Sequence, residues 1–172
     1  LDGSHLRKFD IVLANPPYSI KEWNREKFMN DKWGRNFLGT PPQGRADYAF
    51  FQHIIASMNE TQGRCAILFP HGVLFREELE LRKKLVEMDI LDCIIGLGAN
   101  LFYNSPMEAC ILICNCSKAN SKKNRVLMIN AVNEVTRKNA ESMLLAEHIQ
   151  RIVNAYQQNR ELDGFSRIVS ND

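Results

Sequence analysis

Four consecutive residues, Asn15-Pro16-Pro17-Tyr18, have the types and order to do chemistry. Pro16 biases Asn15 toward an extended backbone, and both prolines fix their own φ near about −65° and lack N–H donors. A stiff loop results, with its carbonyls pointing outward unpaired. The Asn15 side-chain oxygen and the Pro16 carbonyl are then two acceptors in fixed geometry. They suit a ligand with two N–H donors on one nitrogen, the pattern of an exocyclic amino group. Tyr18 adds a flat amphipathic face on which an aromatic base can stack.

The elements that must position this loop follow from the flanking pattern. Residues 9–14 (FDIVLA) form a short apolar run and predict a strand buried on both faces, as in a parallel sheet. The loop stands at its C-terminal end, where open α/β sheets hold their ligands. Residues 19–45 are polar, with Trp23, Phe28, Trp33 and Phe37 interspersed and Gly39, Pro41, Pro42 and Gly44 as punctuation. A loop of this length is functional or mobile, and its Lys21, Arg25, Lys27, Lys32, Arg35 and Arg45 suit a flap that grips a nucleic-acid backbone, against the acidic Glu22, Glu26 and Asp31.

Asp47 is expected to cap a helix whose stripe is Tyr48, Phe51, Ile55 and Met58; a DNA or base-pocket role for Asp47 and Tyr48 is the alternative. A second strand at 65–69 closes at Pro70-His71-Gly72, and a charged helix follows over 75–88. His71 faces the same rim, but an amino group held by Asn15 and Pro16 requires no histidine base. Strands are expected at 91–97, 109–114 and 126–131, the last two joined as a hairpin across the Lys-rich turn 118–125. That turn reads as solvated, with phosphate contact as the alternative. Residues 143–158 have helical spacing, and 164–170 form a further strand or a docking tail. The pattern predicts an α/β fold with an antiparallel edge.

The chain has 172 residues, about one domain. With 45% hydrophobic and 24% charged residues, disorder and coiled coil are excluded. A net charge of +2 does not select nucleic acid or membrane as a partner. No stretch is apolar enough for a membrane span and no signal-peptide layout opens the chain, so a cytoplasmic protein is expected. Cys65, Cys93, Cys110 and Cys114 lie inside apolar runs and read as small buried hydrophobes. Cys114 and Cys116 would share a strand face, but without a second Cys/His pair no metal site is expected.

The motif and its surroundings resemble the amino-type DNA methyltransferases, whose catalytic motif is (D/N/S)PP(Y/F), and in particular the modification subunit of type I restriction-modification systems. The segments FDIVLANPPYS, PPQGRADYAF, FPHGVLF and IIGLGANLFYNSPMEACILI look like successive landmarks of that subunit's catalytic domain, and AEHIQRIVNAY followed by GFSRIVS is similar too. The resemblance implies methyl transfer from S-adenosylmethionine to N6 of an adenine flipped out of double-stranded DNA. Asn15, Pro16, Pro17 and Tyr18 would be the catalytic loop, with Tyr18 stacked on the adenine. Phe102 matches the position that closes the other face of the base better than Tyr103 does.

The same resemblance implies a partial Rossmann-like S-adenosylmethionine-dependent methyltransferase fold: a parallel sheet with antiparallel edge strands, missing the N-terminal cofactor-binding strands. The family's cofactor motif lies upstream of the Asn-Pro-Pro-Tyr strand, and Gly96-Leu97-Gly98 follows a later strand. The chain therefore reads as a fragment, inactive alone, with residues 1–135 the target-base half of the catalytic domain and 136–172 a C-terminal amphipathic helix and tail. The implied partners are DNA and the specificity and restriction subunits of the complex. The open edge of strand 9–14 predicts self-association. Two other readings stay open: a non-catalytic remnant that keeps a DNA- or subunit-docking surface, and a methyltransferase acting on RNA or a protein glutamine.

Overall fold

The computed structural model describes residues 4–102, 105–138 and 141–171. In chain order the elements are β1 (Ile11–Ala14), α1 (Arg25–Met29), α2 (Asp47–Ala56), β2 (Arg64–Pro70), a 3-10 turn (His71–Leu74), α3 (Leu79–Glu87), β3 (Leu91–Leu97) and β4 (Ala109–Asn115). They continue with β5 (Arg125–Ala131), β6 (Thr136–Lys138), β7 (Glu141–Met143), α4 (Ala146–Gln158) and β8 (Ser166–Ser170).

Six strands form one sheet in the order β1-β2-β4-β3-β5-β8. β1 is parallel to β2 and β3 is parallel to β5. β8 is the antiparallel edge that the pattern predicts. A second antiparallel strand, β4, is inserted between β2 and β3. β6 and β7 pair with each other in a separate two-stranded sheet. The expected hairpin across 118–125 does not form, because β3 lies between β4 and β5.

The connection instead passes the start of β3, and buried Lys118 fastens it there. Its ammonium donates to Asp89 Oδ1 at 2.6 Å, to the Leu91 carbonyl at 3.1 Å and to the Arg125 carbonyl at 2.8 Å. Lys118 is thus neither solvated nor a free phosphate contact, whereas residues 119–121 and 123–125 are exposed, as a solvated turn would be. Lys122 lies 3.4 Å from buried Asp92, which also accepts from the Tyr156 hydroxyl at 2.8 Å, so the same corner ties α4 to β3.

The sheet separates two cores. Tyr48, Phe51, Ile54 and Ile55 of α2 and Leu85 of α3 pack with Ile67, Phe69 and Leu112 on one face. On the other, Ile152 and Ala155 of α4 and Phe165 pack with Cys93, Ile95, Leu127 and Ile129. Cys65, Cys93, Cys110 and Cys114 are buried, and burial pushes the Cys110 thiol up to about 12. Cys65 and Cys114 face each other across β2 and β4.

β1 departs from the expectation of a strand buried on both faces. Val12 and Ala14 pack on the α2 core, whereas Ile11 and Leu13 are 62% and 78% exposed. As an edge strand it has α2 over one face and, among the described residues, no helix over the other. The charged helix also starts later than 75, at Leu79, because residues 71–74 first wrap the 3-10 turn.

Candidate active site

Parallel pairing of Ala14 with Ile67 brings the Asn-Pro-Pro-Tyr loop to the rim where β2 ends. Asn15 and Pro17 are exposed, and Pro16 and Tyr18 are half-buried. The Tyr18 hydroxyl donates to Asn15 Oδ1 at 2.9 Å. Partial burial, with a smaller contribution from the Cys110 thiol, raises the Tyr18 phenol, so it stays a protonated donor.

Ser19, next in sequence, has a left-handed backbone with φ of 50°. Its N–H donates to Asp47 Oδ1 at 3.0 Å. Asp47 is 1% exposed and does not cap α2: the capping position is Ala46, with no side-chain cap bond. The carboxylate at the first helical residue is turned to the catalytic-type loop instead. Its Oδ2 makes no hydrogen bond, and Arg76 Nη1 lies 3.7 Å away. The same Arg76 nitrogen reaches Ser19 Oγ at 3.4 Å.

Residues 19–45 are cross-tied and carry a short helix of their own. Trp23 Nε1 donates to the Gln43 carbonyl at 2.7 Å, Gln43 Nε2 returns to the Trp23 carbonyl at 3.0 Å, and Arg25 Nε donates to the Pro41 carbonyl at 2.9 Å. Arg35 is engaged with Asp31, and Lys32 lies 4.4 Å over the Trp33 ring. Buried Gln52 of α2 holds the far end: it accepts from Leu38 N–H at 2.6 Å and donates to the Gly39 carbonyl at 2.9 Å. Lys21 and Lys27 remain exposed on this loop.

Phe102 is half-buried against the α4-side core. Tyr18 and Phe102 do not stack on each other: among the described residues, the paired rings are Trp23–Phe28, Tyr48–Phe51 and Phe51–Phe69. Tyr103 lies outside the described residues. His71 opens the 3-10 turn with Nδ1 3.2 Å from Glu108 Oε2, and its Nε2 is buried without a hydrogen bond.

At the third strand's end packing requires glycine at Gly98 but not at Gly96. A Cβ at Gly98 would sit 2.6 Å from the Val132 carbonyl oxygen, and one at Gly96 would sit 3.5 Å from His71 Nε2. Among the described residues, no group of three His, Cys, Asp or Glu side chains could hold a metal ion. The site as built brings together exposed Asn15, whose Oδ1 accepts from the Tyr18 hydroxyl, half-buried Pro16 and Tyr18, and the buried Asp47 carboxylate that holds the Ser19 N–H. The sequence pattern reads Asp47 first as a cap, with a site role as the alternative, and does not single out Arg76 or Gln52.

Residues 2–172 match the family model described as N-6 DNA Methylase. The chain is 34% identical over 170 residues to the type I restriction enzyme MjaVIII methylase subunit of Methanocaldococcus jannaschii, covering 94% of this chain and 29% of that protein. It is 35% identical over 129 residues to the HindI methylase subunit of Haemophilus influenzae, covering 73% and 28%. The crystal structure of the type I restriction-modification system methyltransferase subunit from Streptococcus thermophilus superposes with a TM-score of 0.86 at 34% identity. It covers 99% of this chain and 36% of that one. The chain thus spans under a third of the length of the two curated relatives.

Proposed function

The chain belongs to the N-6 DNA methylase family, and from that premise we propose that its Asn15-Pro16-Pro17-Tyr18 loop holds the N6 amino group of an adenine in double-stranded DNA for methylation. The observation that supports the reading is that Asn15, exposed, and Pro16, half-buried, follow the C-terminal end of β1 in a chain of this family. By accepting both amino hydrogens they favour a more tetrahedral nitrogen whose lone pair is free to attack. Catalysis on this side is positioning plus electrostatics, with no covalent enzyme intermediate. An adenine in a stacked duplex is out of reach, so the base is flipped at a cost of a few kcal/mol. Tyr18 stacks on one face and Phe102 closes the other.

S-adenosylmethionine is the proposed donor and supplies an electrophilic methyl. The part assigned to this chain is on the acceptor side. Residues 1–135 carry the target-base function, and 136–172 the C-terminal helix and tail. The proposed partners are DNA and the specificity and restriction subunits of a type I complex. No described helix is long and apolar enough to cross a membrane, in keeping with a proposed cytoplasmic location.

The test is methyl transfer to unmethylated DNA by the full-length protein with its specificity subunit, wild type against Asn15→Ala, with N6-methyladenine read by mass spectrometry. Loss of methyladenine with DNA binding retained supports the assignment. A wild-type complex that makes none moves the non-catalytic docking reading forward.

A further inference from the structure

We infer that Asp47 is a positioning residue for the Asn-Pro-Pro-Tyr loop, acting through the Ser19 N–H and braced by Arg76. The inference rests on the function proposed above and deepens it. Asp47 is 1% exposed, yet one carboxylate oxygen has no hydrogen bond. Such a group is expensive to bury, and an apolar side chain would anchor α2 at lower cost. What the carboxylate does do is accept from Ser19 N–H at 3.0 Å.

That bond falls at the residue where the loop leaves its motif. Pro16 and Pro17 stiffen the entrance, but they leave the exit free, and Ser19 holds a left-handed φ of 50° that a non-glycine residue keeps only when its surroundings impose it. The directions of the Asn15 and Pro16 oxygens therefore depend on both ends being fixed. Arg76 completes the bracket from a third element: its Nη1 lies 3.7 Å from Asp47 Oδ2 and 3.4 Å from Ser19 Oγ. Its guanidinium lies across Gly72, where a Cβ would come within 2.1 Å of Arg76 Nε. Gly72 is thus the residue that lets the arginine reach the loop.

The experiment uses the full-length protein with its specificity subunit and compares Asp47→Ala, Asp47→Asn and Asn15→Ala with wild type. Asp47→Ala removes the acceptor and is expected to lower kcat about 10²-fold, as a misplacement of order an ångström does, with KM for DNA and for the methyl donor unchanged. Asp47→Asn keeps an oxygen facing Ser19 and is expected to recover kcat to within about tenfold of wild type. Hydrogen exchange supplies a second readout: the Ser19 amide exchanges faster in Asp47→Ala than in Asp47→Asn.

Equal kcat in Asp47→Ala and wild type overturns the inference, as do equal losses in the Ala and Asn variants accompanied by equal falls in Tm. Should Asp47→Ala fail to fold, Asp47→Ser, whose hydroxyl does not span the distance, takes its place with the same expected loss. Methylation that survives Asn15→Ala sinks the proposed function instead, and the Ser19 exchange rate then decides the tether by itself.

Discussion

The hydroxyl of Tyr18 donates to Asn15 Oδ1 at 2.9 Å, so the aromatic residue of the motif occupies a lone pair on the motif's own acceptor. The proposed amino ligand must displace that hydroxyl or share the oxygen with it. Removing the hydroxyl while keeping the ring frees the acceptor at no loss of stacking. Tyr18→Phe is therefore expected to lower KM for DNA by roughly 2–10-fold, the worth of one net hydrogen bond. Tyr18→Ala, which loses the stacking face, is expected to cut methyl transfer by roughly 5–150-fold. Steady-state kinetics on both variants checks this; a KM that rises in Tyr18→Phe removes the competition between hydroxyl and substrate.

Lys118 is expected to behave as a structural cation. Its ammonium has three partners, and its side chain is 3% exposed against 22% for Asp89. Lys118→Ala takes the ammonium from two carbonyls and from the partly hydrated Asp89 carboxylate, which keeps the Asn124 N–H and Asn171 Nδ2 as donors. The expected cost is about 2–3 kcal/mol, below the usual figure for breaking a fully buried pair because Asp89 keeps some water. Urea denaturation measures it, and a loss under 1 kcal/mol contradicts the staple.

The segment of residues 19–45 should weaken in acid. The Arg35 guanidinium, with the Arg35 and Trp33 backbone N–H groups, holds the Asp31 carboxyl below its usual value against some desolvation. On unfolding the carboxyl returns to about 3.9, so the unfolded chain binds the proton more readily. The stabilisation is fully present above that value and is lost as pH falls through the lower folded one. Proteolysis within residues 19–45 should accelerate over this range in wild type, and Asp31→Asn should flatten the dependence.

The described chain by itself should self-associate. Among the described residues β1 pairs on one side only, and Ile11 and Leu13 are exposed beside that open edge. Sedimentation at tens of micromolar is expected to show dimers or larger species, and Leu13→Lys is expected to shift the population toward monomer. A clean wild-type monomer counts against strand addition.

Much of the architecture is legible because apolar runs bounded by Gly and Pro mark strands directly: 91–97 is found as Leu91–Leu97, and 65–69 lies within Arg64–Pro70. Strand order is not, since LDCIIGL and ACILIC carry no label saying which neighbour each will take; only the register shows β4 between β2 and β3. Charge misleads in both directions. Lys118 reads as part of a solvated run until three acceptors enclose it, and Asp47 reads as a cap until Ser19 is seen to need its oxygen. The motif loop is legible because prolines write their geometry into the sequence. Its support is not, because it comes from residues 28 and 57 positions away. An aspartate opening an apolar helix behind an alanine was the available signal for it.

β4 also dictates an order of assembly. Within the sheet, β1 and β2 reach β3, β5 and β8 only through this one strand, although β3 precedes it in the chain. A nascent chain that has emerged only as far as β3 holds the motif loop, its aspartate and its arginine, yet lacks the strand that welds the two halves together. The acceptor site is therefore built early in sequence and secured late. Until residues 109–115 arrive, β2 and β3 face each other across a missing strand, with open edges on both sides that favour a wrong partner.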